Sequence, residues 1–402
     1  MTTFIVDAQQ SPAKTAPLYW MAVGAFAIGT ESFMDSAILP AIAVDLNVRF
    51  EVAGQLVTAF ALTYAVSSPL LTVLTGSIGR RRLLIGCMMM FAGANLLAAL
   101  STSYVALLIA RVLLAAAAGL YVPNANAITS AMVSPDRRGR ALAIVTSGLS
   151  VAVALGVPMG ALIRGHFGWR MTFAGVSLLS AIALIGLMVG VPKGISAGYV
   201  PASLRNRMTA IARPRVLPAL LVTMLWAAGG FTVYTYLAIV LGSATGLGAT
   251  GIGFALFGWG ASAFIGLIAG GRLTDRVGAS RVIAFALPVV AAALASLSVL
   301  SRLFSPDMAV APMLVAIVVW GASAWGFFPA QQARLIGITG AASAPVILSL
   351  NASFQYAGFA IGAALGGFVL AHGSSADLGW TGGLCVPLAV LLNVTRREKT
   401  PN

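Results

Sequence analysis

The stretch GTESFMDSAILP, Gly29 to Pro40, carries two carboxylates, Glu31 and Asp35, inside a run that is otherwise apolar from Leu18 to Val44. About 20 apolar residues make one helical membrane span, so the run is long enough to cross a bilayer. Its acids are four residues apart, which puts both on one helix face. Each costs about 2.5–3.5 kcal/mol at mid-membrane on insertion scales. Two anions on one face also repel, and a low dielectric strengthens the repulsion. A membrane helix with such a face needs either a proton or a cation beside it.

The rest of the chain has the same membrane character. Of 402 residues, 59% are hydrophobic and 8% charged, with mean hydropathy +0.96. A soluble domain carries roughly 25% charged residues. Twelve spans are predicted, near 17–44, 52–76, 83–101, 104–132, 141–164, 170–191, 216–241, 250–271, 281–301, 310–331, 344–371 and 379–395. The expected fold is an all-α membrane protein of twelve transmembrane helices in two pseudo-twofold-related six-helix bundles. The first 15 residues lack a signal-peptide pattern, so the first span is expected to act as an uncleaved insertion signal.

A net charge of +14 would suggest nucleic acid in a soluble protein. Here the basic residues cluster in alternate short loops. With the N-terminus inside, nineteen of the 24 Lys and Arg residues fall in inside segments. Arg49, Arg164, Arg170 and Arg302 fall outside, and Arg111 lies within a span. The positive-inside rule then predicts both termini in the cytoplasm; the expected location is a bacterial inner membrane, with no nucleic-acid partner. Cys87 and Cys385 have no metal or redox spacing. No P-loop supports ATP-driven transport, no cofactor is expected, and no His/Cys/carboxylate cluster supports a metal site or an intramembrane enzyme.

A basic loop divides the chain into residues 1–192, a cytoplasmic linker 193–215, and residues 216–402. The halves repeat. GLYVP ends at Pro123 and GFFP at Pro329; GVPMGA begins at Gly156 and GAALGG at Gly362. The offset is 33 residues in both halves. Two such bundles imply a site between them near the bilayer midplane.

A second repeat lies after the second span of each half: TVLTGSIGRRR, Thr72 to Arg82, and GRLTDRVGASR, Gly271 to Arg281. The latter resembles the loop signature of the major facilitator superfamily at Gly271, Leu273, Asp275, Arg276, Gly278 and Arg281. The resemblance implies that Asp275 helps latch the cytoplasmic side. The first copy has Gly76 where that aspartate belongs; Arg80–Arg82 are then either a remnant of the latch or topology determinants. GTESFMDSAILPAIAVDL resembles the first span of the twelve-span drug:proton antiporters, which include multidrug, chloramphenicol and sugar exporters. GLSVAVALGVPMGALI, Gly148 to Ile163, resembles their fifth-span signature, except that Val157 separates Gly156 from Pro158. The resemblance also implies a monomer.

Gly148, Ala152, Gly156 and Gly160 recur every fourth residue, a smooth face for close helix approach. Pro158 permits a bend. Gly358, Gly362 and Gly366 repeat the stripe. Such stripes are either packing seams or a hinge and seal between the halves.

Arg111 is the one other formal charge deep in a span. Counted from the outer ends of their helices, Asp35 and Arg111 differ in depth by a few ångströms, at about 1.5 Å per residue. The two acids and Arg111 are therefore the expected proton-coupling group, with Asp35 the principal carrier, against the alternatives of a structural hydrogen-bonder (Glu31) and a packing device (Arg111). The seventh span offers Thr232 and Tyr236 at the equivalents of Glu31 and Asp35, so coupling belongs to the first half. Candidate substrate contacts are Phe60, Tyr64, Tyr121 and Asn124 in the first half, and Tyr234, Tyr236, Trp320, Asn351 and Gln355 in the second. Any of these aromatics can equally be an interfacial anchor or lipid-facing. The expected function is proton-coupled export of small, partly apolar molecules by alternating access. An uptake symporter or facilitator on the same fold is the alternative, and a non-transporting membrane receptor a distant third.

Overall fold

The structure, a computed structural model, describes residues 16–134, 137–193, 204–340 and 343–394. The first half contains α1 (Ala16–Asp45), α2 (Phe50–Leu74), α3 (Arg80–Ala99), α4 (Tyr104–Met132), α5 (Arg138–Phe167) and α6 (Trp169–Gly190). A short α7 (Leu204–Ile211) lies in the linker. The second half contains α8 (Val216–Tyr234), α9 (Leu237–Thr245), α10 (Ala249–Val277), α11 (Ala279–Leu303), α12 (Pro306–Thr339), α13 (Ala344–His372) and α14 (Leu378–Val394).

Among the described residues, eleven helical segments are long and apolar enough to span a membrane, and α5 supplies a further apolar stretch, Arg140–Gly156. With α8 and α9 taken together, the described residues make twelve crossings. The outermost helices show why lipid suits them. On α6, Leu178, Ile182, Ile185 and Val189 are exposed at helical spacing, a stripe that bulk water would penalise and acyl chains would not. By contrast α1 is apolar nearly all round and lies at the centre, with most of its residues buried.

Packing follows a twofold pattern. In the first half α1 lies against α5 and α6, α2 against α4, and α3 against α4 and α6. In the second, α8 lies against α13 and α14, α10 against α12, and α11 against α12 and α14. The two main seams between halves, α2 with α13 and α5 with α10, are each other's counterparts.

The seventh span departs from expectation. Instead of one helix over 216–241, α8 stops at Tyr234 and α9 resumes at Leu237 and runs to Thr245. Neither Pro nor Gly sits at the break. The last turn of α8 tightens, with the Tyr236 amide bonding Val233 O at 3.1 Å. The Tyr236 hydroxyl is then held by Ala363 O of α13 at 3.0 Å. Tertiary bonding ends the helix where propensity alone would continue it. The tenth span is also longer than expected, Pro306–Thr339 rather than 310–331.

The small-residue stripes pack within each half. A Cβ on Gly160 would come to 2.8 Å from Met34 Cβ of α1. One on Gly362 would come to 2.8 Å from Thr232 N of α8. Both seams therefore join a helix to the first helix of its own half, rather than sealing one half against the other. The side chain of Pro158 lies outside the described positions.

Candidate functional site

Glu31 and Asp35 lie one turn apart on α1, as their spacing requires. Arg111 of α4 lies opposite. Its Nη1 donates to Glu31 Oε1 and its Nη2 to Asp35 Oδ2. One planar guanidinium thus bridges both acids, a geometry that a lysine ammonium does not reproduce. The exposures of Glu31, Asp35 and Arg111 are 0%, 5% and 1%. Water is excluded and the Coulomb attraction is correspondingly strong. Phe60 of α2 covers the guanidinium, 4.8 Å from ring centroid to Cζ. Two polar atoms of the cluster, Glu31 Oε2 and Arg111 Nε, are buried without a hydrogen-bond partner among the described residues.

The opposite side of α1 faces the second half. Phe33 packs edge-on against Trp325, centroids 5.4 Å apart, and against Tyr234 at 6.5 Å. The Tyr234 hydroxyl donates to Phe33 O at 2.6 Å. Behind Phe33 lies an aromatic cluster in which Trp226, Phe231, Tyr234, Trp259, Trp320 and Phe359 close around a void of about 20 Å³. Trp259 Nε1 is a buried donor with no acceptor among the described residues.

Several expected site residues are thereby brought together and others are not. Phe60 and Tyr64 meet Tyr356 of α13 across the seam between halves, Tyr64 stacking on it at 3.6 Å. Tyr234 and Trp320 belong to the aromatic cluster. Tyr236 does not: it turns toward the seam of α2 with α13, where its hydroxyl fills the space a Gly54 side chain would take. Tyr121 donates to Met21 O at 3.1 Å, within the first half. Asn124 is held by Arg80, whose Nη1 donates to its Oδ1 at 2.6 Å. Asn351 accepts from Thr223 at 2.7 Å, and Gln331 donates to the same threonine at 3.0 Å. Gln355 is buried on α13.

The basic loops behave differently in the two halves. Arg80 is 5% exposed, and Arg81 donates to Val191 O at 2.8 Å. These two residues tie α3 to α4 and to the end of α6, beyond any role in topology. In the second half Asp275 and Arg276 are exposed, and Asp275 has no ion pair among the described residues. Gly278 has φ +88° with open space at its Cβ position, so its requirement is for left-handed backbone rather than for room. Gly271 likewise faces open space.

Sequence reasoning missed Tyr356 and the burial of Arg80. Tyr356 follows Gln355 directly, but nothing in its neighbours distinguishes it from a lipid-facing tyrosine.

Comparison with known proteins agrees with this architecture. The family model described as Major Facilitator Superfamily matches residues 21–363. A chloramphenicol resistance protein of Streptomyces lividans is 35% identical over 384 residues, covering 94% of this chain and 95% of the relative. The inner membrane transport protein YdhP of Escherichia coli (strain K12) is 32% identical, covering 96% and 97%. The crystal structure of the human organic anion transporter MFSD10 (TETRAN) superposes with a TM-score of 0.72 at 16% identity, covering 96% of this chain and 100% of that one; this likeness concerns the fold alone.

Proposed function

This chain belongs to the major facilitator superfamily and is a multi-pass membrane transporter rather than an enzyme, and on that premise we propose that it exports small, partly apolar molecules in exchange for protons by alternating access. The observation that carries the reading is the bridge from Arg111 to Glu31 and Asp35. Two carboxylates and one guanidinium sum to −1 when all are ionised. One proton makes the buried cluster neutral, and a neutral cluster is far cheaper to keep out of water. Protonation then favours the occluded arrangement. Loss of the proton favours a conformation that lets water, or a polar substrate group, reach α1.

The substrate would enter between the halves, against Phe60, Tyr64 and Tyr356 on one side and the aromatic cluster of α8, α10 and α12 on the other. The void of about 20 Å³ there is too small for such a molecule, so binding requires the halves to part. A resistance protein among the relatives supports the outward direction. Residues 1–192 and 216–402 would move as the two bodies, joined by 193–215, with both termini cytoplasmic and the chain acting as a monomer in a bacterial inner membrane.

Purified protein in liposomes with an imposed pH gradient and a trapped pH dye tests the coupling. Asp35→Asn is expected to abolish concentrative transport and substrate-induced proton movement while the protein still folds. Undiminished concentrative transport by Asp35→Asn and by the double variant Glu31→Gln/Asp35→Asn would remove the cluster from the mechanism. The uptake reading is separated by comparing inverted with right-side-out vesicles.

A further inference from the structure

We propose that a cleft at the end opposite the basic loops, between α1, α5, α9 and α10, binds an amphipathic anion, with its acidic head on Arg164 and its apolar body between the two halves. The cleft has a volume of about 370 Å³. Ala37 and Pro40 of α1 line one side, Ile239 of α9 and Ile252 and Leu256 of α10 the other. Its mouth is at the level where helices leave the membrane, since Phe50 begins α2, Ala249 begins α10, and both line it. Ala37 is eight residues from the end of α1, so the cleft reaches about 12 Å inward.

The α5 stripe explains why the cleft exists. Gly148, Ala152, Gly156 and Gly160 let α5 lie close on α1 at every fourth residue. The next position in that series is Arg164. A guanidinium there ends the close approach, and the space beyond Met34 opens toward α9 and α10.

Arg164 is also the unbalanced cation of this end. Arg49 pairs with Glu51, Arg170 with Asp45, and Arg302 with Asp377. Arg164 has no ion pair among the described residues, and its Nε is buried without a hydrogen-bond partner. An apolar cleft with one unsatisfied guanidinium at its mouth fits a phosphate, carboxylate or sulfonate carried on an apolar body. The site is separate from the carboxylate cluster: Ala37 follows Asp35 by two residues, which at about 100° per residue places it on the other side of α1.

Two sources provide this chemistry, an anionic phospholipid of the bilayer and a soluble apolar anion. Wild type, Arg164→Gln, Arg164→Lys and Ile252→Trp, which fills the cleft but keeps the arginine, are purified intact. Native mass spectrometry from nanodiscs of mixed phosphatidylglycerol and phosphatidylethanolamine reads lipid retention. Fluorescence titration with anilinonaphthalene sulfonate in detergent reads the soluble anion. Removing the charged donor should weaken binding about tenfold, Arg164→Lys should retain most of it, and Ile252→Trp should lose it with the arginine present. Loss in the first arm assigns the site to lipid, and loss in the second alone assigns it to a soluble anion. Binding unchanged by Arg164→Gln and Ile252→Trp in both arms overturns the proposal. Neither arm measures transport, so the outcome is independent of proton coupling.

Discussion

Tyr356 of α13 lies flat on Tyr64 of α2, ring centroids 3.6 Å apart and planes 14° from parallel. The stack spans the seam between halves and sits beside Phe60, which covers Arg111. It therefore separates the charged cluster from the space between the halves. Tyr356→Ala should open that cover. The expected result is faster labelling of a cysteine placed at Ser32 by a water-soluble thiol reagent in the Cys87→Ser/Cys385→Ser background, with Tyr356→Phe close to wild type. Equal labelling in all three would show that the stack is not the barrier.

The Arg111 bridge makes a stability prediction. Arg111→Ala leaves two buried acids without their cation, and breaking a buried pair from one side costs about 3–5 kcal/mol. Arg111→Lys keeps the charge but loses the two-armed geometry. Thermal unfolding in detergent should rank wild type above Arg111→Lys above Arg111→Ala. Addition of Glu31→Gln and Asp35→Asn to Arg111→Ala should recover much of the loss.

Arg80 makes a local one. Its removal leaves Asn124 Oδ1 buried without its donor, at a cost of about 1–3 kcal/mol. Arg80→Ala should lower the unfolding temperature more than Arg82→Ala, with topology unchanged when a reporter is fused after the last residue. A reporter that changes sides in Arg80→Ala would instead make Arg80 a topology determinant.

The exposed Asp275 makes a conformational one. The cross-seam contacts named above lie at mid-depth or toward the end opposite the basic loops, as with Tyr236 beside Gly54. Asp275 is exposed here, so a latch at this residue, as the loop resemblance implies, would engage in another conformation. Asp275→Asn should slow transport severalfold at matched expression with little change in thermal stability of the state described here. Wild-type transport by this variant removes the latch.

Much of this was legible in the sequence because lipid enforces it. A bilayer demands about 20 apolar residues per helix whatever the tertiary structure, so the crossings and the halves could be read directly. The meeting of Asp35 and Arg111 followed from depth alone, because α1 ends and α4 begins at the same outer face. What could not be read depends on neighbours far along the chain. The break at Thr235 and Tyr236 rests on Ala363 of α13. The inward turn of Arg80 rests on Asn124, 44 residues away. The stripe of Gly148 to Gly160 was visible as a smooth face, but its partner was not, and it is α1 of the same half.

The two-sided placement of α1 has a consequence for how variants combine. Glu31 and Asp35 face Arg111, while Phe33 reaches Trp325 and Tyr234 from the opposite side of the same turn. A rigid rod cannot roll to suit one set of neighbours without displacing the other. Substitutions on its two sides, such as Glu31→Gln and Phe33→Ala, should therefore interact rather than add. Each half of the molecule then reports, through one shared helix, on what has happened in the other.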